Sequence, residues 1–380
     1  MIKNIALFFI VLVLSLEFGL RITKLYSTFS EKSSGDFWFE WENERDTAHY
    51  SHKANSTFIS SIGSEGEWEY HSNQFGYREQ QIPEKRLSKT RIFTLGDSFT
   101  EGLGASFDST WPRRLEQLVQ QQRSASLFNC GMSGSDPFYE YWSLKNVLMN
   151  HQPTHVILSL NDSDFDDFLV RGGYSRFKPD GSIRYRDAPW FFTFYHFSHI
   201  VRMLAHEMFD YNYYLIRRND PVAQRAEVAD SIAQCLRDIN ILCLENNIKF
   251  MAVIHPVPHL VCFESEATKS EVFGLSSHSF DFLDFRVYVE SDQSKSEVLA
   301  LSSHNFDFPV IRMYEPLKTA MTGPDCTTFH WKQDSHFNGR GYQLFASLLN
   351  DKIEEEYPYF WDGLQTRVPS DSISPEVAIP

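Results

Sequence analysis

A chain of 380 residues, 42% of them hydrophobic, is long enough for two domains or for one large α/β domain with extensions. Its 50 acidic residues against 35 basic ones leave a formal net charge of −15 with no basic block, which argues against a nucleic-acid partner and against charge-driven adhesion to an anionic membrane. The five cysteines, Cys130, Cys235, Cys243, Cys262 and Cys326, match no zinc or redox spacing; they read mostly as small buried apolar residues and leave the redox compartment open.

The N-terminus reads MIKNIALFFIVLVLSLEFGLRI. The unbroken apolar run from Ile5 to Leu16 has the length of a secretory h-region, but Glu17, Phe18, Leu20 and Arg21 follow where a small-residue cleavage site would lie. Residues 1–25 are therefore expected to be an uncleaved membrane anchor, a little short of the ~20 apolar residues of a spanning helix, with Arg21 able to snorkel. Lys3 on one side and Arg21 with Lys24 on the other mark its orientation weakly. Residues 26–90, polar and aromatic by turns, read as a lead-in or stalk.

From residue 91 apolar β-branched runs alternate with helical patterns, which predicts a parallel sheet with crossover helices. Strands are expected at 91–95, 126–130, 154–160, 248–254 and 308–314. Helices are expected from about Thr110, over 137–150, over 222–246 and from Asn338 or Gly339 to about Glu355; residues 356–380 read as a tail. Two inserts, at about 168–221 and 259–307, interrupt the pattern. The first is aromatic but carries His196, His199, Arg202, His206, Glu207 and Asp210, too polar to span a bilayer; it reads as an inserted helical lobe in preference to a lid or a membrane-facing surface. The second holds KSEVFGLSSHSFDF (269–282), repeated as KSEVLALSSHNFDF (295–308). Two copies are too few for a solenoid, and a tandem duplication explains His278, His304, Asp281 and Asp307 more simply than a metal site does.

Strand tips carry the chemistry. Gly96-Asp97-Ser98 follows the first strand, NCGMSGSD with Gly131 and Gly134 the second, and Asn161-Asp162 the third. In the doubly wound strand order 2-1-3-4-5 these tips lie side by side at the switch point. Ser98 would then share a crevice with the N–H of Gly134 and the amide of Asn161: a nucleophile whose own N–H joins two further donors for an oxyanion. A base is available in KQDSHFNGRGY, with His336 to take the Ser98 proton and Asp334 to orient the imidazole.

The ordered blocks GDSFTEG, NCGMSG, LND and DSH resemble those of the SGNH hydrolases, the GDSL-like lipases and esterases, over roughly residues 91–350. NQFGYRE (73–79) looks like the lead-in of membrane-anchored bacterial relatives. The resemblance implies a three-layer α/β/α sandwich with a five-stranded parallel sheet over 91–355. It implies catalytic Ser98, His336 and Asp334, and an oxyanion hole from Ser98, Gly134 and Asn161. It also implies an extracytoplasmic domain acting on a carbohydrate ester or another small ester, without cofactor or metal. Two departures are visible: only Ser335 separates Asp334 from His336, and Leu160 stands where glycine is common, which would narrow the crevice. Transfer of the acyl group to a sugar hydroxyl stays open with the same residues, as does a non-catalytic glycan-binding protein. Asp97 reads as a turn cap. Asp162, Asp164, Asp166 and Asp167 read as a solvated loop, because the glycine and closing glutamate of a calcium loop are missing. His255 and His259 read as supporting or surface residues, and His330 as a rival base without a carboxylate at the right spacing.

Overall fold

The computed structural model describes residues 2–23, 51–62, 65–80, 90–165, 173–176, 192–209, 221–262, 301, 304–321, 326–332, 334–363 and 365–366. The first copy of the repeat, His278, Asp281, Asp166 and Asp167 lie outside them.

Helix α1 spans Ile2–Thr23, its apolar side chains exposed along most of its length. An antiparallel hairpin follows, β1 (Thr57–Ile62) paired with β2 (Gly66–His71). It belongs to the folded unit that includes the sheet. Tyr77, just beyond the hairpin, is fully buried in the sheet's core and its hydroxyl meets Ser143 Oγ at 2.5 Å. The stretch expected as a stalk thus supplies core side chains over its described part.

Strands β3 (Arg91–Leu95), β4 (Ser126–Asn129), β5 (His155–Leu160), β6 (Lys249–Ile254) and β7 (Val310–Arg312) form one parallel sheet in the order β4-β3-β5-β6-β7. This is the doubly wound order expected; β3 has the expected bounds, β4, β5 and β6 are each one residue shorter, and β7 keeps only the centre of its apolar run. The helices are α2 (Ser98–Glu101), α3 (Trp111–Gln120), α4 (Pro137–Asn146), α5 (Phe192–Phe197), α6 (His199–Phe209), α7 (Pro221–Glu245), α8 (Pro258–Cys262), α9 (Tyr314–Met321) and α10 (Gly339–Glu356).

Strand periodicity of two assigns the layers. Phe93 and Leu95 of β3, with Val156, Leu158 and Leu160 of β5, face α4 and α7. Ile92 and Ile157 face the other way, toward Trp111 and Leu115 of α3, Leu317 of α9 and Phe345 of α10. Each such fully buried side chain contributes about 1.5–3 kcal/mol, so both helix layers are held to the sheet by many equivalent contacts. Leu160 is buried in the α4–α7 core, so its side chain does not narrow a crevice at the strand tip.

Three further corrections follow. Cys262 and Cys326 form a disulfide, Cα to Cα 5.7 Å, while Cys130, Cys235 and Cys243 are free and buried. The spacing of five cysteines gave no sign of this pair because its 64-residue separation is bridged only by the return of the chain from α8 to the turn after α9. The start of the expected tail is folded: Phe360 and Trp361 are buried, and the Phe360 carbonyl lies 3.0 Å from His155 Nε2. Asp164, expected in a solvated loop, is fully buried and accepts the Asn161 N–H at 2.7 Å.

Candidate active site

The chain leaves β3 through Gly96, whose φ is +144°. A Cβ there would fall 2.2 Å from Thr100 Oγ1 and 2.8 Å from the Ser159 carbonyl, so only glycine lets the strand turn this tightly into α2. Asp97 is the N-cap of α2, its Oδ1 accepting the Phe99 N–H at 2.9 Å. Ser98 is the first residue of that helix, and its N–H is among those a helix leaves without an intrahelical acceptor.

Ser98 Oγ lies 2.7 Å from His336 Nε2, joining residues 238 apart in the chain. His336 Nδ1 is hydrogen-bonded to Asp334 Oδ1. The single residue between them is accommodated by a left-handed turn: Ser335 has φ +66°. Its N–H donates to the Trp331 carbonyl at 3.0 Å, and the Trp331 N–H donates to the His336 carbonyl at 2.9 Å. The Phe99 ring stacks on the imidazole, centroids 4.5 Å apart and planes 25° from parallel. Burial pushes the His336 pKa down, but the charge and hydrogen bond of Asp334, with the charges of Asp97 and Glu101, outweigh it and leave the imidazole above its usual 6.5. Burial likewise raises Asp334, and His336 more than reverses that, holding the carboxyl below its ordinary 3.8. The pair is arranged to keep a cationic imidazole stable beside a carboxylate.

Asn161, fully buried at the tip of β5, donates through Nδ2 to Asp97 Oδ2 at 2.9 Å. Ser163 Oγ lies 2.8 Å from both Asp97 Oδ2 and Asn161 Oδ1. One of the two amide hydrogens is thus committed to Asp97, where the sequence reading had assigned the amide to an oxyanion alone. Gly134 sits half-exposed in the loop after β4 with φ +71°. That loop is tied to the turn that carries Ser98 by the Met132 N–H donating to the Gly96 carbonyl at 2.9 Å and by Ser135 Oγ donating to the same oxygen at 3.2 Å.

Residues that sequence reasoning passed over hold this frame together. Glu101, three after Ser98, is buried; its Oε1 meets His52 Nε2 and its Oε2 accepts the Ser133 N–H at 2.7 Å together with the Ser133 hydroxyl. Arg78 is fully buried and donates to the carbonyls of Gly102 at 2.7 Å and Ala105 at 2.6 Å, its guanidinium over the Tyr70 ring. Glu79 accepts the Asn129 N–H at 2.7 Å; burial, opposed by that bond and one from Gln80, pushes its carboxyl up to about 7. Arg78 and Glu79 close the NQFGYRE stretch, so their signal was present but carried no partner. His52 had no signal at all.

His255 is buried with its ring 5.3 Å from that of Phe99, and burial takes it down to about 4, so it is neutral there. His330 is also lowered by burial, and its Nδ1 is 3.0 Å from the Trp331 carbonyl. Among the described residues no group of three or more His, Cys, Asp or Glu side chains is placed to hold a metal; His304 instead pairs with Asp230 at 2.9 Å.

No protein-family profile and no curated protein matches the chain. Solved structures similar to it include a lipase/acylhydrolase from Enterococcus faecalis, at 14% identity over 73% of this chain and 99% of that one, TM-score 0.36. A GDSL-like lipase from Bacteroides thetaiotaomicron shows 14% identity over 72% and 92% of the two chains, TM-score 0.33. A two-domain esterase active on acetylated mannans shows 11% identity over 77% of this chain and 53% of its own, TM-score 0.37. Values this low carry no argument about chemistry.

Proposed function

We propose that the chain is a serine esterase of the SGNH type, anchored in a membrane by α1, that removes an O-acyl group from a carbohydrate through an acyl-Ser98 intermediate. The observation that carries the reading is the continuous hydrogen-bonded path from Ser98 Oγ through His336 to Asp334 at the carboxyl edge of a doubly wound sheet.

In the first half-reaction Ser98 Oγ attacks the ester carbonyl while His336 Nε2 takes its proton. Asp334 stabilises the imidazolium. The oxyanion is met by the Ser98 N–H, the Gly134 N–H and the Asn161 amide hydrogen not held by Asp97, each donor contributing about 3 kcal/mol to the transition state. His336 then returns the proton to the leaving alkoxide. In the second half, His336 draws a proton from water, the hydroxide attacks the acyl-serine, and Ser98 regains its hydrogen. The Cys262–Cys326 disulfide supports a domain placed in an oxidising, extracytoplasmic compartment. The carbohydrate ester rests on the family resemblance.

The test is labelling of the detergent-solubilised full chain with a fluorophosphonate, read by intact mass, beside turnover of p-nitrophenyl acetate and acetylated glycans. One adduct on Ser98, lost in Ser98→Ala and strongly reduced in His336→Ala, is expected. A folded chain that takes no adduct and turns over no ester would sink the proposal.

A further inference from the structure

Helix α1 does not stand apart from the rest of the chain; it is hydrogen-bonded to the start of α6. Glu17, which follows the apolar run Ile5–Leu16 of α1, accepts hydrogen bonds at 2.8 Å from Ser198 Oγ and at 3.0 Å from the backbone N–H groups of His199 and Ile200, which open α6. Arg21, one turn on, donates to Glu17 at 2.8 Å and to the Phe197 carbonyl. A carboxylate in an apolar spanning helix is costly unless its charge is met. Here the N-terminus of α6 meets it with two backbone donors and the positive end of its dipole.

This contact sets the two elements at one level. The part of α1 that carries Arg21 to the headgroups is the part that touches residues 197–200. The lobe presents apolar side chains there: Phe194 and Phe197, three apart on α5, are 60% and 67% exposed, and Leu204 and Met208, four apart on α6, are 40% and 67% exposed. The opposite side of α6, with His199, Arg202 and Ala205, is buried. An aqueous domain gains nothing from such a stripe, whereas a bilayer continuous with the lipid around α1 would cover it.

We propose that the α5–α6 lobe is a second, monotopic membrane contact, laid into the lipid interface beside α1 by Glu17. It rests on α1 being the anchor and not on the esterase chemistry.

The experiment uses the full chain in vesicles of phosphatidylethanolamine and phosphatidylglycerol, with a fluorescent nitrobenzoxadiazole probe on Phe194→Cys, Phe197→Cys or, for reference, Tyr359→Cys. Tyr359 is 52% exposed and lies at the opposite edge of the sheet, where its carbonyl accepts from Lys249 at 2.5 Å. The native free thiols are buried and the other two cysteines are paired, so the introduced thiol is the one labelled. Lipids brominated in the acyl chains are expected to quench the two lobe probes several-fold more than the Tyr359 probe. Equal quenching at all three sites overturns the proposal. So does a blue-shifted lobe probe that bromolipid leaves unquenched, which would mean a second copy of the chain covers the stripe. Glu17→Ala is expected to halve the quenching at Phe197→Cys or better while the protein still pellets with vesicles; unchanged quenching would remove Glu17 from the device. Loss of pelleting in the unsubstituted chain would overturn the anchor itself, and ester turnover in the same samples reports the catalytic reading separately.

Discussion

Asp97 and Asn161, 64 residues apart, are clamped to one another: Asp97 Oδ2 accepts the Asn161 amide at 2.9 Å while Asp97 Oδ1 caps the helix that starts at Ser98. One carboxylate thereby fixes both the turn that carries Ser98 and the Asn161 amide at the next strand tip. Asp97→Ala removes a cap and leaves a buried amide hydrogen unmet, which should lower stability by about 1–3 kcal/mol. Ester kcat/KM should fall by about 10–100-fold, because a catalytic donor set loose by even a small displacement loses much of its value. Asp97→Asn keeps the cap but faces amide against amide, so its melting temperature should lie nearer the wild type than its kcat/KM does. Denaturant titration and steady-state kinetics on the same preparations check both.

The acid limb of the rate profile should report His336. The base must be neutral, and its pKa is held above 6.5 by Asp334 against the opposing effect of burial, so kcat/KM should rise with pH through a value above 6.5. Asp334→Asn removes the largest raising influence; the limb should move to lower pH while the plateau drops by about 10⁴-fold. A limb that stays in place would remove Asp334 from the orienting role.

The same pair makes a signed contribution to stability. The raised His336 stabilises the fold fully below its unfolded pKa of ~6.5, and this is lost as pH rises through its higher folded value. The depressed Asp334 stabilises above its unfolded ~3.9, and this is lost as pH falls through its lower folded value. The wild type's advantage over Asp334→Asn in urea should therefore be greatest between about pH 4 and 6.5 and decline on either side.

Glu101 should behave as a positioning residue for the loop that carries Gly134. Glu101→Ala strands the Ser133 N–H in the interior, a cost of about 1–3 kcal/mol, and frees that loop. The expected kinetic signature is a fall in kcat with little change in KM, whereas His52→Ala, which leaves the Ser133 bonds in place, should cost less on both counts. Equal effects of the two substitutions on kcat would contradict this division.

Cys262–Cys326 closes a loop spanning 64 residues and anchors the turn that leads to Asp334 and His336. By loop-closure entropy its removal should cost about 4 kcal/mol. The Cys262→Ser, Cys326→Ser double variant should melt well below the oxidised wild type, and reductant should move the wild type toward it and leave the variant unchanged.

The parts of this protein that its sequence determined alone are those written in short-range pattern. Apolar runs at 91–95 and 155–160 mark strands that are buried on both faces, Gly96 states where the strand must turn, and the blocks around Ser98, Gly134, Asn161 and His336 follow one another in order. The strand period of two, carried to the end of the run, places Leu160 on the same face as Val156 and Leu158. What tertiary structure alone decided are the partners of polar groups far apart in the chain: Asp97 with Asn161, Glu101 with His52, Arg78 with the carbonyls past α2, Cys262 with Cys326, and Glu17 with the start of α6. The reason is physical. Burying an apolar side chain needs only a face, which periodicity supplies, whereas a buried charge or thiol needs one particular atom within about 3 Å, and which atom arrives there depends on where every intervening loop comes to rest.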